Sequence, residues 1–139
     1  MQDEPRVEDC MALRCRRLAR LVTRKYDAAL WPSGLRVTQF TLLHIISRHP
    51  GIGVNSLASG TDTDPTTLTR NLSVLERNGW VTIGSSSDDQ RRREVRMTDE
   101  GRRRYEDALP RWATVQKEVA GKTAGLIGAL EDLGVPAED

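Results

Sequence analysis

The sequence predicts a mainly α-helical protein with one small β-hairpin, and three features of its pattern support this. Apolar residues recur at steps of three and four along most of the chain, which is the spacing of one helix face. Glycine and proline divide the chain into helices of moderate length. A strand pattern appears only at residues 80–83 and 92–97. The expected order is helix, helix, short helix, helix, hairpin, long helix, helix.

The N-terminal part is predicted to form one long amphipathic helix over residues 9–30. Its apolar residues stand three or four positions apart and define one face: Met11, Cys15, Leu18, Val22, Tyr26 and Ala29. The remaining faces are rich in arginine. The Trp-Pro-Ser-Gly run at residues 31–34 ends this helix, because proline and glycine are typical of helix ends.

Two shorter helices are expected next. Thr38 is a suitable N-cap for the first of them, which stops before the His-Pro-Gly run at residues 49–51. Residues 54–58 are predicted to form the second, and Ser59 and Gly60 end it.

The clearest helix start in the sequence lies at Asp64 and Pro65. Aspartate is a good N-cap, and proline suits the first helical position. The helix is predicted over residues 65–78, where Asn78 and Gly79 stop it. Its buried stripe consists of Leu68, Leu72 and Leu75.

A β-hairpin follows this helix. Residues 80–83 alternate as a strand, residues 84–89 form a polar turn, and residues 92–97 return. Thr98 is the expected N-cap of a long helix that runs to about Ala120, with Pro110 expected to kink or interrupt it. Gly121 is expected to break that helix. A last helix over residues 123–133 carries an apolar set: Leu126, Ile127, Leu130 and Leu133.

The central elements have the order of a helix-turn-helix followed by a hairpin, or wing. In this plan the second helix lies in the major groove of DNA. The exposed side near the start of helix 65–78 carries five polar residues: Thr66, Thr67, Thr69, Arg70 and Asn71. Arginine pairs with guanine, asparagine with adenine, and threonine contacts bases or phosphate. We therefore predict that this side reads DNA.

The charge distribution also favours a nucleic-acid partner. The formal net charge is only +1, but arginine is concentrated at Arg91-Arg92-Arg93 on the return strand of the hairpin. A wing with these residues can contact the DNA backbone and place an arginine in a narrow minor groove. We predict Arg91 and Arg93 as DNA contacts.

The residues from Asp64 to Val81 resemble the multiple-antibiotic-resistance regulator (MarR) family of winged helix-turn-helix proteins. Asp89-Gln90-Arg91, followed after five residues by Met97-Thr98-Asp99-Glu100-Gly101, is similar to the wing signature D-x-R…L-T-x-x-G of that family. Met97 replaces its leucine. The segment 34–40 is similar to the family's entry into its second helix. The resemblance covers about residues 10–130.

This resemblance implies a homodimeric transcriptional regulator, most often a repressor, which binds a pseudo-palindromic operator in double-stranded DNA. It implies one domain over residues 1–139. Residues 9–31 and 102–133 would be dimerisation helices, and residues 35–98 the DNA-binding part. The apolar residues of the last helix are consistent with a role in dimerisation. Asp89 would orient Arg91 by a charge-assisted pair.

The resemblance implies a release signal but leaves its nature open. Many members bind a small phenolic or aromatic acid, for which the candidate effector pocket is formed by Tyr26, Trp31, His44 and Trp112. Other members sense oxidants through cysteine, for which Cys10 and Cys15 are the candidate redox sensors. The two cysteines differ by about 140° of helix rotation, so they cannot bridge within one helix. Cys15 also belongs to the apolar stripe, where packing is its expected role.

Other classes of protein are less consistent with the sequence. We find no G-x-S-x-G motif, phosphate-binding glycine loop or carboxylate pair, so we expect no enzyme activity and no cofactor. His44 and His49 alone do not predict a metal site. No apolar run approaches the roughly 20 residues of a membrane span, and the acidic N-terminus predicts no secretory signal, so we expect a cytoplasmic protein. A winged-helix interaction module without DNA binding remains an alternative.

Overall fold

The computed structural model describes residues 4–61 and 63–135, and it has the predicted order of helices and hairpin, with two 3-10 turns and one strand in addition. Two short 3-10 turns, Val7–Asp9 and Trp31–Ser33, flank the first helix. The other elements are α1 Met11–Leu30, α2 Val37–Arg48, β1 Ile52–Gly53, α3 Val54–Gly60, α4 Pro65–Arg77, β2 Val81–Ser85, β3 Arg93–Met97, α5 Asp99–Lys122 and α6 Leu126–Asp132. Strand β1 was not predicted, because two residues are too short for a periodic pattern.

The three strands form one antiparallel sheet in the order β1-β3-β2. Ile83 of β2 and Ile52 of β1 both lie opposite Val95, the central residue of β3. Val95 is fully buried, so the sheet covers the helices with its inner face. The core beneath it is formed mainly by α2, α3, α4 and the start of α5: Leu35, Phe40, Leu43, Ile46, Leu57, Leu68, Leu72, Leu75, Trp80, Tyr105 and Ala108.

The predicted start of α4 is confirmed. The carboxylate of Asp64 accepts a hydrogen bond from the backbone N–H of Thr67 at 3.0 Å. The helix ends at Arg77, and Gly79 has a φ of +75°, the left-handed conformation that glycine adopts at helix ends. Thr98 is confirmed in the same way as the cap of α5, because its hydroxyl accepts from the N–H of Gly101 at 3.1 Å.

The prediction that Thr38 caps the second helix is wrong. The N-cap residue is Arg36, two positions before Thr38, and helix α2 begins at Val37. The backbone N–H of Val37 donates to Oδ1 of Asp27 at 2.8 Å, and that of Arg36 donates to Oε1 of Gln39 at 2.9 Å. The cap therefore comes partly from α1, a contact between helices that residue types around Thr38 do not reveal.

Helix α5 is longer than predicted. It continues through Pro110 and Gly121 to Lys122, so neither residue ends it. Pro110 is exposed, so the carbonyl that loses its helical N–H partner can bind water instead. The last helix, α6, is correspondingly shorter, because Thr123 forms the turn after α5 with its N–H bonded to the carbonyl of Val119.

The terminal helices leave apolar side chains uncovered. Helix α1 packs along α5, yet Met11 on its predicted apolar face is 64% exposed. Cys15 on the same face is exposed too, so the expectation that it is packed is wrong within one chain. Helix α6 has no buried residue. No helix in the described residues is long and apolar enough to cross a membrane.

Candidate nucleic-acid interface

Helix α4 presents a polar row on the side opposite its buried leucines. At 100° of rotation per residue, Thr66, Arg70, Ser73 and Arg77 fall within one narrow sector. Leu68, Leu72 and Leu75 occupy the opposite sector and are buried in the core. All four residues of the polar row are exposed. We call this set the outward row of α4.

The five predicted base-reading residues of α4 do not lie on one face of the helix. Thr66 and Arg70 belong to the outward row. The hydroxyl of Thr67 donates to the Asp64 carboxylate at 3.2 Å, and the hydroxyl of Thr69 donates to the carbonyl of Pro65 at 2.9 Å. Asn71 is half-buried at the edge of the core.

Ser73 and Arg77 of the outward row were missed by the sequence prediction. Their spacing of three and seven residues from Arg70 was a visible signal, since it continues the same helix face. Arg77 lies in the last turn of α4, where a cation is also favoured by the helix dipole.

The tip of the wing is organised by Asp89. Its Oδ1 accepts a hydrogen bond from the backbone N–H of Arg91 at 2.9 Å, and its carbonyl accepts from the N–H of Arg92 at 3.0 Å. The N–H of Ser86 donates to the carbonyl of Arg92 at 2.8 Å, which closes the loop. Asp89 thus orients Arg91 through its backbone amide. Within residues 4–61 and 63–135, no ion pair joins the two side chains.

The base of the wing is fixed to the start of α5. The hydroxyl of Thr98 donates to the carbonyl of Gly79 at 2.6 Å, and its N–H donates to the carbonyl of Trp80 at 3.0 Å. A Cβ atom at Gly101 would lie 2.0 Å from the Trp80 oxygen, so only glycine fits there. The Arg104 guanidinium lies 5.8 Å from the centre of the Trp80 ring. These contacts fix the wing relative to both α4 and α5.

Three of the candidate effector residues lie at the junction of α1, α2 and α5. His44 Nδ1 is hydrogen-bonded to the hydroxyl of Tyr105 at 2.7 Å. Phe40 stacks between Tyr105 and Trp112, with ring centres at 5.3 and 5.8 Å. The hydroxyl of Tyr26 donates to Oε1 of Gln116, one turn beyond Trp112.

Burial raises the pKa of both tyrosines at this junction, Tyr26 and Tyr105, so both hydroxyls stay protonated near neutral pH. Trp31, the fourth candidate, is 70% exposed and joins none of these contacts. The structure therefore places His44 and Trp112 at opposite ends of the Tyr105–Phe40 stack and joins Tyr26 to α5 at Gln116, whereas Trp31 lies apart.

Both candidate redox residues lie at the start of α1. Cys10 is its N-cap residue and Cys15 lies in its second turn, and both thiols are exposed. The Arg14 guanidinium, between them in sequence, is held by the Asp9 carboxylate at 2.7 Å. Among the described residues, no group of three or more histidine, cysteine or acidic residues is placed to hold a metal ion.

A helix with an outward arginine-bearing row, preceded by a short helix and followed by an arginine-rich hairpin, defines a winged helix-turn-helix DNA-binding protein. Comparisons with known proteins identify its family. The MarR family model matches residues 35–92. The transcriptional regulator MosR of M. tuberculosis is 33% identical, with a TM-score of 0.80 over 93% of this chain and 96% of that chain. A structure of MosR in complex with DNA is 35% identical, with a TM-score of 0.75 over 91% and 99%.

A further relative is the uncharacterized HTH-type transcriptional regulator YwoH of Bacillus subtilis (strain 168). It is 28% identical over 101 residues, which is 73% of each chain. The chain belongs to the MarR family. Its family and relatives are transcriptional regulators and not enzymes, which agrees with the sequence prediction.

Proposed function

We propose that the chain is a homodimeric repressor that binds a pseudo-palindromic operator through the outward row of α4 and the wing. The observation that carries this proposal is the pairing of two cationic surfaces. Arg70 and Arg77 extend from α4, while Arg91 and Arg93 extend from the wing that Thr98 fixes beside it. The MosR complex with DNA supports the proposal, because that protein is similar over nearly the whole chain.

A gel shift on the DNA upstream of the protein's own gene tests the DNA interface. Arg70→Ala should weaken binding to the operator more than to unrelated duplex, because a base contact carries sequence preference. Arg91→Ala should weaken binding more uniformly, or mainly on A·T-rich flanks. Arg111→Ala, which removes an exposed arginine from the middle of α5, is the matched control. If the Arg70 and Arg91 variants bind DNA as well as wild type, the assignment of the interface to α4 and the wing is wrong. If wild-type protein shifts no duplex even at low salt, an interaction module without DNA binding is favoured instead.

The homodimer is proposed because α6 buries none of its side chains within one chain. A seven-residue helix with no buried side chain has too few hydrogen bonds to be stable alone. Ile127 of α6 and Leu133, the residue that follows α6, are 60% and 80% exposed, and Met11 and Leu21 of α1 are exposed as well. A second copy would cover both helices and place two α4 helices about 34 Å apart, one turn of DNA. Sedimentation should give twice the chain's mass of 15.6 kDa.

The signal for release is proposed to be a small aromatic acid or an oxidant. The aromatic cluster at the junction of α1, α2 and α5 supports the first, and calorimetry with phenolic and aromatic acids tests it. The exposed thiols of Cys10 and Cys15 support the second. Peroxide would accept two electrons and two protons from two thiols, and a disulfide between subunits would form.

The oxidant proposal has its own test. Oxidised protein should run as a covalent dimer on a non-reducing gel and lose DNA binding, and reductant should restore both. Cys10→Ser and Cys15→Ser show which thiol is needed. Only monomer on the gel, with DNA binding unchanged, would exclude cysteine as the sensor and leave the small acid as the candidate signal.

A further inference from the structure

The guanidinium group of Arg104 lies between two parts of the chain that are far apart in sequence. Its Nη1 donates to the carbonyl of Ser33 at 3.4 Å, and its Cζ lies 5.8 Å from the centre of the Trp80 ring. Ser33 belongs to the 3-10 turn that follows α1, and Trp80 is the residue before β2. Nε of Arg104 lies 3.5 Å from the carboxylate of Glu100, one turn earlier on α5. One side chain thus contacts the end of α1 and the base of the wing.

Backbone hydrogen bonds join Trp80 to α4 and to the start of α5. Its N–H donates to the carbonyl of Leu75 at 3.0 Å, and its carbonyl accepts from the N–H of Thr98 at 3.0 Å. Trp80 is buried, and its side chain belongs to the core of the DNA-binding part. A shift of Trp80 would therefore move the end of α4 and the base of the wing together.

Gly34 leaves the space that the guanidinium group occupies. Its φ is +76°, and a Cβ atom there would lie 3.1 Å from Nη1 of Arg104. A larger residue is therefore disfavoured at this position both by the backbone and by the arginine. The preceding residue, Ser33, is buried, so the turn is held in place. The end of α1 and the guanidinium group consequently have one defined relative position.

We propose that Arg104 is a positioning residue that fixes α4 and the wing relative to α1, and thereby sets the half-site spacing that the dimer accepts. The proposal rests on the homodimeric DNA-binding function proposed above. In that dimer α1 belongs to the contact between subunits and α4 lies in the major groove, so the geometry that connects them determines the spacing of the half-sites. Arginine suits this role, because its guanidinium group can donate to a carbonyl and interact with an aromatic ring at the same time.

Operators with altered spacing test this role. The operator is located by footprinting on the DNA upstream of the gene, and it is then made with one base pair added or removed between its half-sites. Wild-type protein should bind the original spacing best. Arg104→Met, which keeps a long side chain but removes the charge and the donors, should reduce this preference severalfold, because each DNA-binding part can then adjust its position. Arg111→Met, on the same helix, is the matched control and should keep the preference.

Salt dependence separates positioning from direct contact with DNA. The slope of log K against log salt concentration should be the same for Arg104→Met as for Arg111→Met, because a positioning residue neutralises no phosphate. A smaller slope for Arg104→Met alone would show a phosphate contact. An unchanged preference for spacing, in Arg104→Met protein whose circular dichroism shows it folded, would show that α4 is positioned without this side chain. Either result overturns the proposal.

A double-mutant cycle tests the part of Gly34. Gly34→Ala should reduce the preference for spacing while the charge of Arg104 is kept, because the added Cβ crowds Nη1. Combined with Arg104→Met, it should reduce the preference no further, since the displaced group is already absent. Losses that add would show that Gly34 acts independently of Arg104 and would overturn its part in the proposal.

The positioning role and the function on which it rests fail in different ways. If wild-type protein prefers one spacing and Arg104→Met prefers it equally, the dimeric regulator stands and the positioning role is wrong. If wild-type protein binds every spacing equally, the proposed reading of two half-sites by a dimer is wrong, and the positioning role with it.

Discussion

The DNA-binding part and the terminal helices differ in how completely one chain covers their apolar side chains. Most of the fully buried residues lie between Leu35 and Val95, and Leu30, Ser33 and Ala108 lie outside this range. Every large apolar side chain that is exposed, among the residues the structure describes, lies outside 35–98: Val7, Met11, Leu18, Leu21, Trp31, Ile127, Leu130, Leu133 and Val135. The core of the DNA-binding part is therefore closed within one chain, whereas the terminal helices keep apolar side chains exposed. We call residues 35–98 the finished part and the terminal helices the unfinished part.

This difference determines what kind of stability each part has. A core closed within one chain contributes the same free energy of unfolding at any protein concentration. A surface completed by a second copy contributes more as concentration rises, because association favours the folded state by mass action. The two parts meet where the start of α5 contacts Trp80, and we call this contact the joint. A substitution at the joint affects the stability of both parts.

The largest effect is expected for Gly101→Ala, at this joint. The added Cβ would lie 2.0 Å from the Trp80 carbonyl oxygen, so the wing base or α5 must shift. We expect the free energy of unfolding to fall by about 3 kcal/mol, as for severe overpacking. Denaturant unfolding measures it. Gly121→Ala on the same helix, where a Cβ meets nothing within 4 Å, should instead be neutral or stabilising. Equal losses at both glycines would contradict a steric cause.

The next effect concerns the unfinished part. Ile127→Ala removes an exposed side chain from the apolar side of α6, at a cost of about 2 kcal/mol for each subunit that buries it in a dimer. The dimer should dissociate at more than tenfold higher concentration, and the melting temperature should fall only where the dimer forms. Sedimentation and melting across concentrations measure this. Asp132→Ala, on the polar side of α6, should change neither, and a concentration-independent loss for Ile127→Ala would place that side chain outside the interface.

The elements that local sequence determines were predicted well, and those that depend on distant contacts were not. Asp64 and Thr98 accept from the N–H three residues ahead, so their caps were visible in sequence. The cap of α2 needs Asp27 from another helix, and Thr38 was chosen wrongly. Strand β1 has two residues and exists only because β3 pairs with it.

The residues of the candidate interface also differ in whether the sequence alone could predict them. Arg70 and Arg91 are exposed as predicted, because helix periodicity and the wing signature place them. Ser73 and Arg77 were omitted, although they continue the helix face of Arg70. The exposure of Cys15 was missed because a helical stripe does not reveal whether its own chain or another covers it.

A smaller effect is expected for Asp64→Ala, inside the finished part. The substitution removes the acceptor for the N–H of Thr67 and leaves the first turn of α4 uncapped. We expect a loss of about 1 kcal/mol that is independent of protein concentration. Asp64→Asn should retain most of the stability, because asparagine caps as well as aspartate. If the loss grows as the protein is concentrated, α4 contributes to the dimer contact and the division between the two parts is wrong.

The smallest effect concerns Glu100, on the first turn of α5 beside the joint. Hydrogen bonding and charge from Arg103, with a further contribution from Arg104, hold the pKa of this carboxyl below its ordinary value. A lowered pKa in the folded state means that the contribution to stability is present above the ordinary value and is lost as pH falls through the folded one. Because Glu100 is on the surface, the loss should be small and should shrink in high salt.

Carboxyl NMR titration should therefore show Glu100 protonating at lower pH than free glutamate, and Arg103→Ala should remove most of that difference. Glu100→Gln should flatten the dependence of stability on pH below about 5, where free glutamate protonates. Titration of Glu100 at the pH of free glutamate would contradict its pairing with Arg103 and Arg104.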